Sequence, residues 1–410
     1  MLNHPSPLQN NILNTLFFII PGFILVIPGA GEAPFVVVAL WSIIYCYKEK
    51  INPFKYDATK SFSLILFGYF FISFLSVIAS DPSLYAFKRL GTNFHFLIAP
   101  WLAVFLLKKL KFPILSNGIK VGAAFAGIVA LIQYFYLGTR AGGVVNEILF
   151  GDIALLLAFF SLINFFNEST KERIFSFISF SFGLVAVVLS LSRGAWITAP
   201  ILFLGLIFIW GQQRVISKKN LILVFIMAMS IVIIAGLTPQ IQSRFQLMNN
   251  QIINYKGSNF SSVGARITLW KAALDVFPNH PILGYGLHNT KLAASDFFQD
   301  KKLKKRISYY DHFHNEYLNT LVGKGIAGLL SLFVLFLMPI RLFYKNINSD
   351  NKSNFSGIGI MLCTGYMFFG LTNITFGHGI FNTFFVFILT ACTNASWSDP
   401  HRKNCKSDDT

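Results

Sequence analysis

The sequence predicts an all-α, polytopic integral membrane protein. Three observations carry that prediction. Of the 410 residues, 54% are hydrophobic and only 12% are charged, against about 25% charged in an average soluble domain. The mean hydropathy is +0.59. Apolar stretches near the length of a bilayer crossing, about 17–25 residues, recur along the chain. The 46 phenylalanines suit lipid-facing helices. This composition excludes a soluble globular enzyme, a disordered chain and a nucleic-acid-binding domain. The formal net charge of +17 and pI near 9.7 would point to nucleic acid in a soluble protein. In a membrane protein an excess of Lys and Arg is expected from cytoplasmic loops. None of the four cysteines (Cys46, Cys363, Cys392, Cys405) has CxxC spacing, so neither a zinc site nor a disulfide framework is indicated.

About twelve spans are expected, at 12–28, 33–47, 61–79, 91–107, 118–137, 148–166, 174–191, 195–210, 219–237, 316–340, 355–373 and 379–394. The first lacks a basic flank and a cleavage signal and reads as a retained span. Basic clusters fall in alternate connections. They are Lys48 to Lys60, Lys108 to Lys120, Lys171 with Arg173, Arg214 to Lys219, Arg341 to Lys352, and Arg402 to Lys406. With twelve spans all six lie on one side, which the positive-inside rule makes the cytoplasm. The expected organisation is therefore spans one to nine over 1–237, an external loop over 238–315, spans ten to twelve over 316–394, and a cytoplasmic tail over 395–410.

The loop over 238–315 is far longer than an ordinary connection. It has helical patterning: Ile267, Trp270, Ala273, Leu274 and Phe277 share a face. Pro278 and Pro281 end that helix, and Gly284 and Gly286 supply a turn. It also carries ten Lys and Arg residues from Arg244 to Arg306, including the run KKLKKR at 301–306. That excess runs against the topology rule and calls for a chemical reason. The 301–306 run reads as a clamp for phosphate groups or, at least as readily, as a stripe facing solvent or lipid headgroups. No 20–50-residue repeat and no Walker, Rossmann, EF-hand or HExxH pattern is present, so a nucleotide-driven pump or nucleotide-sugar enzyme has no support.

Four places on the external side combine charge with small residues. Ser192-Arg193-Gly194-Ala195-Trp196 places an arginine at the end of an apolar segment, costly in hydrocarbon, beside a glycine that permits close ligand approach. It reads either as a ligand contact or as a snorkelling arginine in a turn. Ala265-Arg266 opens the loop helix, where an arginine and free backbone N–H groups make an anion site plausible; a solvated arginine is the plainer alternative. Asp311-His312-Phe313-His314-Asn315-Glu316 gathers two histidines, two acids and an amide at the start of span ten. Histidine is the side chain placed to exchange a proton near neutral pH. HxH spacing also fits a metal, but no third and fourth ligands are evident, so no metal is expected. Arg140-Ala141-Gly142-Gly143, with Asp152 further on, flanks the entry to span six, where a simple ion pair is the alternative. Arg89 is a further external cation. These cations suit a membrane-borne polyanion such as a lipid diphosphate, since arginine binds phosphate oxygens bidentately and fixed cations stabilise a departing diphosphate.

On these motifs the sequence resembles the O-antigen ligase family. The segments are 191–196 (LSRGAW), 266–280 (RITLWKAALDVFPNH) with 281–289 (PILGYGLHN), 314–329 (HNEYLNTLVGKGIAGL) and 140–155 (RAGGVVNEILFGDIAL). That family is grouped with O-antigen polymerases and protein O-oligosaccharyltransferases. The resemblance is clearest over about 140–330, and the order of the motifs on one side makes it specific.

The resemblance implies a GT-C-like, all-helical glycosyltransferase of the bacterial inner membrane, with its active site on the periplasmic side. It implies transfer of a glycan from undecaprenyl diphosphate to a sugar hydroxyl of lipid A–core, with no nucleotide, cofactor or divalent metal. The implied partners are the lipid-linked glycan, the lipid A–core acceptor and membrane lipids, and no nucleic acid. The family's essential arginines correspond to Arg193 and Arg266 and its essential histidine to His314. Arg89, Arg140 and Asn315 are expected to contact substrate. Glu316 or Asp311 could orient His314, and the sequence does not choose between them or require either. A polymerase would use the same donor, but polymerases often have two substantial external loops, where only 238–315 is long here. A protein O-oligosaccharyltransferase often carries more C-terminal periplasmic sequence. A transporter would need intramembrane acids, of which Asp152 is the main candidate.

Overall fold

The computed structural model describes residues 7–80, 82–215, 242–243, 246–247, 250, 262–290, 293, 312–348 and 353–396. The expected ninth span (219–237), the basic run 301–306, Asp311 and the tail lie outside the described residues. Among the described residues every regular element is a helix. In hydrocarbon each backbone N–H and C=O needs an internal partner, which a helix supplies within one segment.

Among the described residues, nine α-helices lie within 7–215: α1 (Pro7–Phe23), α2 (Glu32–Lys48), α3 (Lys60–Ser80), α4 (Leu84–Gly91), α5 (Phe94–Lys109), α6 (Phe112–Leu131), α7 (Glu147–Ser161), α8 (Thr170–Ser190) and α9 (Arg193–Gln212). Four more are described from residue 262 onward: α10 (Ser262–Val276), α11 (Glu316–Tyr344), α12 (Ser353–Phe369) and α13 (Gly379–Ala391). Seven stretches among the described residues are long and apolar enough to cross a membrane, the expected fourth span being α4 joined to α5. The chain is therefore polytopic. Helices α1, α2, α12 and α13 also coincide with expected spans, but are 17, 17, 17 and 13 residues long.

Burial sorts these helices into layers. Every residue of α7 from Leu149 to Ser161 is buried, as is every residue of α13 from Ile380 to Ala391. Helices apolar all round belong in the interior. Helices α3, α8, α9 and α11 instead expose large apolar side chains, among them Phe71, Ile174, Leu204 and Leu330, as faces against lipid tails require. Small residues bring backbones together where helices cross. Gly118 and Gly122 of α6 lie against Phe18 and Pro21 of α1, and Gly127 lies against Phe182 of α8.

At the end holding the starts of α6 and α8, polar groups are locked into the fold. Ser169 caps α8 in a reciprocal capping box with Glu172. Lys120, grouped above with a basic loop, instead lies inside α6. Its ammonium donates to Glu168 at 2.6 Å, and Ser176 donates to the same carboxylate. Two long side chains in apolar surroundings must pair, because an isolated buried charge is very costly.

The opposite end gathers the motif segments. Helix α11 breaks there at Gly325, whose φ of 64° and ψ of −164° lie in a region open essentially to glycine. The freed backbone groups are met by residues 281–286. Tyr285 and Gly286 donate to the carbonyls of Val322 and Gly323, and Ile326 and Ala327 donate to those of Pro281 and Ile282. The segment after α10 is thus stitched to the broken helix, and α10 packs on α11 as well.

Candidate functional site

Helix α10 and the residues before α11 form one unit. Phe313, buried, packs against Leu269, Ala272, Ala273 and Val276 of α10. Trp270 Nε1 donates to the Phe313 carbonyl at 3.0 Å. Arg266 lies four residues before Trp270, one turn along the same face, so this clamp carries it toward His314. His314 takes a left-handed φ of 49°, uncommon outside glycine and typical of strained functional positions. Its backbone N–H donates to His312 Nδ1 at 3.1 Å, and the two rings meet edge to face at 4.2 Å.

Burial pushes the His314 imidazole from its ordinary 6.5 down to about 4, and the Arg266 guanidinium adds to the shift. At neutral pH the ring is uncharged and able to accept a proton.

His314 and His312 line a cavity of about 540 Å³, within the usual range of about 300–1,000 Å³ for ligand sites. One wall is α4 and the start of α5, with Tyr85, Arg89, Thr92 and Asn93. A second is the start of α11, with Glu316, Asn319, Thr320 and Lys324, facing Tyr69 of α3. Residues 287–290 and the connection from Ile374 to His378 close it. Arg89 donates to the Tyr85 hydroxyl at 3.1 Å and lies over its ring. Burial and Arg89 both lower the pKa of His378.

The carboxylate of Glu316 is fully engaged. Its Oε2 accepts from the backbone N–H groups of Thr375 and Phe376 at 2.7 and 3.2 Å, and Oε1 accepts from Thr320 at 3.0 Å. These bonds fix the connection between α12 and α13, so of the two acids the sequence offered for orienting His314, Glu316 is spent elsewhere. Asp311, the alternative, lies outside the described residues. Lys324, in the helix break, donates to the Tyr69 hydroxyl at 2.7 Å and to Ser73 at 3.3 Å.

The other expected residues occupy a neighbouring position. Arg193 is the first residue of α9, behind Ser192, whose hydroxyl approaches Asp152 at 3.4 Å. Gly194 packs against Thr372. Asn315 reaches the same connection from the other side: its Nδ2 donates to the Leu371 carbonyl, while its Oδ1 caps α11 by accepting from Leu318. The starts of α9 and α11 therefore meet on residues 370–376. Arg140 donates to the Ser190 carbonyl at 2.8 and 3.2 Å and to that of Leu191, so it satisfies the open carbonyls ending α8. The structure brings Arg89 and His314 together at the cavity. Arg140, Arg193 and Arg266 do not line it. Sequence reasoning missed Tyr69, Asn93, Asn319, Lys324 and His378. The available signal was polarity within or beside apolar spans. Among the described residues no group of three or more His, Cys, Asp or Glu is placed to hold a metal ion.

Fold and site together define a multi-pass, all-helical membrane protein whose arginine- and histidine-bearing motifs converge at one end of the bundle. Residues 178–333 match the family described as O-Antigen ligase, the family that the motifs resemble. The matched stretch runs from within α8 to within α11 and contains Arg193, Arg266, His314 and Asn315. Three relatives frame the match. An uncharacterized protein of Haemophilus influenzae is 28% identical over 388 residues, 92% of this chain and 95% of the relative. The O-antigen ligase of Escherichia coli is 22% identical over 249 residues, 58% of this chain and 54% of the relative. The ComP-specific O-oligosaccharyltransferase of Acinetobacter baylyi is 22% identical over 233 residues, 55% of this chain and 40% of the relative. The chain thus spans about half, or less, of the two relatives whose names state an activity.

Proposed function

We propose that the protein is a glycosyltransferase that moves a glycan from undecaprenyl diphosphate to a sugar hydroxyl of lipid A–core. The reaction takes place on the periplasmic side of the inner membrane. The observation that supports this reading best is His314, a residue of the matched stretch, kept uncharged beside Arg266 at the wall of a cavity. A transfer of this kind needs two things of the protein: a base for the acceptor hydroxyl and cations for the diphosphate that departs.

In this reading Arg193 and Arg266 hold the diphosphate and stabilise the charge that develops as the sugar C1–O bond breaks. His314 takes the proton from the acceptor hydroxyl as its oxygen attacks C1 from the opposite face. The anomeric centre is thereby inverted, and undecaprenyl diphosphate leaves. Arg89 supplies a further cation at the cavity wall. Arg140 acts at one remove, holding the end of α8 from which Ser192 and Arg193 follow.

Deletion of the gene, followed by gel analysis of lipopolysaccharide, tests the reading. Loss of all capped species, with lipid-linked polymer accumulating, is the expected result. A single repeat still attached to core would instead identify a polymerase. Unchanged lipopolysaccharide with a lost glycoprotein would identify protein glycosylation, the activity in the name of the Acinetobacter relative.

A further inference from the structure

The polar groups in the floor of the cavity are of two kinds. The charged ones are engaged within the protein: Glu316 accepts from three donors, and Lys324 is held by Tyr69 and Ser73. Two neutral amides are not. Asn93 is 2% exposed, and its Oδ1 is buried with no hydrogen-bond partner among the described residues; the same holds for Oδ1 of Asn319. Both residues line the cavity.

Position makes the Asn93 amide more telling. It stands at the start of α5, where an asparagine ordinarily caps the helix. Asn146 and Asn315 do so elsewhere, each accepting a backbone N–H at 2.9 and 3.0 Å. The Asn93 side chain makes no capping bond. Buried polar atoms are almost always satisfied, so one left open toward a cavity marks a place for a ligand. A carboxamide both donates and accepts, whichever way it is turned. Its natural match is a hydroxyl group, which does the same. Tyr69, Tyr85 and Phe376 add aromatic surface on which the C–H face of a ring can rest. The two arginines that hold the diphosphate, Arg193 and Arg266, lie outside this lining; Arg89 stands at its wall over Tyr85, and the base His314 is part of it.

Building on the ligase reading, we propose that this cavity is the pocket for the acceptor's terminal sugar, with Asn93 and Asn319 hydrogen-bonding its hydroxyls and so selecting which acceptor is taken. The two amides fix the ring, and His314 meets the hydroxyl that attacks.

The full-length protein in nanodiscs, given lipid-linked glycan donor and purified lipid A–core, tests this through KM for each substrate. Asn93→Ser removes no capping bond, because Asn93 makes none, and leaves a residue favoured at a helix start; Asn319→Ala is favourable within a helix, so both variants should melt as the parent does. Each should raise the acceptor KM about tenfold, the loss of roughly one hydrogen bond in a closed site, and leave the donor KM within about twofold. A rise confined to the donor KM would overturn the assignment by placing the donor sugar here. Unchanged values for both substrates, or a fall in kcat that tracks lost thermal stability, would overturn it too. Saturation-transfer NMR with free core oligosaccharide separates this failure from failure of the ligase reading. Sugar binding that the double variant loses, in a protein without ligation, sinks the ligase reading and keeps the pocket. Ligation in a protein whose double variant binds the oligosaccharide unchanged does the reverse.

Discussion

His314 is asked to lose its charge and keep its place. Burial is the main reason its pKa falls to about 4, and Arg266 is the second. Because the folded value lies below the ordinary 6.5, protons favour the unfolded chain. The contribution of His314 to stability is complete above about 6.5 and is lost as pH falls toward 4. With His314 as the proposed base, activity should follow the same group: the neutral imidazole persists well below pH 6.5, so kcat/KM should keep its plateau there and fall only near pH 4. Arg266→Gln removes the smaller of the two causes. Its residual activity should show the acid limb displaced upward, though short of 6.5, in a pH–rate profile. An unmoved limb would detach Arg266 from the histidine. The residue types themselves were readable in the sequence, since Arg193, Arg266 and His314 stand in short motifs. The partners were not. Glu316 sits two residues from His314, yet its carboxylate serves the backbone at Thr375 and Phe376. Sequence proximity said nothing about which way the first turn of α11 faces.

Two elements organise the site, and both are interruptions. Helix α11 breaks at Gly325, and residues 281–286 fill the break with four backbone hydrogen bonds. An added Cβ at Gly325 would meet the backbone of Ile282 and Leu283 and would have to adopt a positive φ. Gly325→Ala should therefore destabilise the protein by about 1–3 kcal/mol from backbone strain alone, seen as a lowered melting temperature in detergent. Wild-type stability in that variant would contradict the stitched arrangement. The sequence shows glycines at 323, 325 and 328. Only the structure shows that α11 breaks at the middle one. The connection between α12 and α13 is the second interruption. Asn315, Glu316 and Gly194 all grip it from outside, although nothing in its own composition distinguishes it from an ordinary turn.

At the scale of the whole molecule, composition and hydropathy sufficed for an all-helical, multi-pass chain, because hydrocarbon leaves the backbone few alternatives. Eleven of the expected spans coincide with described helices, α4 and α5 together making the fourth. The sequence could not show that α7 and α13 are the interior pair, since lipid and protein interior select similar apolar residues. It also could not show that the polar residues Tyr69, Asn93, Asn319 and Lys324 come from three helices to one cavity. That convergence depends on packing between α3, α5 and α11, which no local pattern encodes. The central claim is that this assembly transfers glycan with His314 as the base. The most direct measurement uses purified protein in nanodiscs, with lipid-linked glycan, lipid A–core and a metal chelator, and follows the ligated product on gels. Wild-type protein should make product in the chelator, and His314→Ala, folded to the same melting temperature, should make at least about a hundredfold less. Ligation by His314→Ala at the wild-type rate would contradict the account.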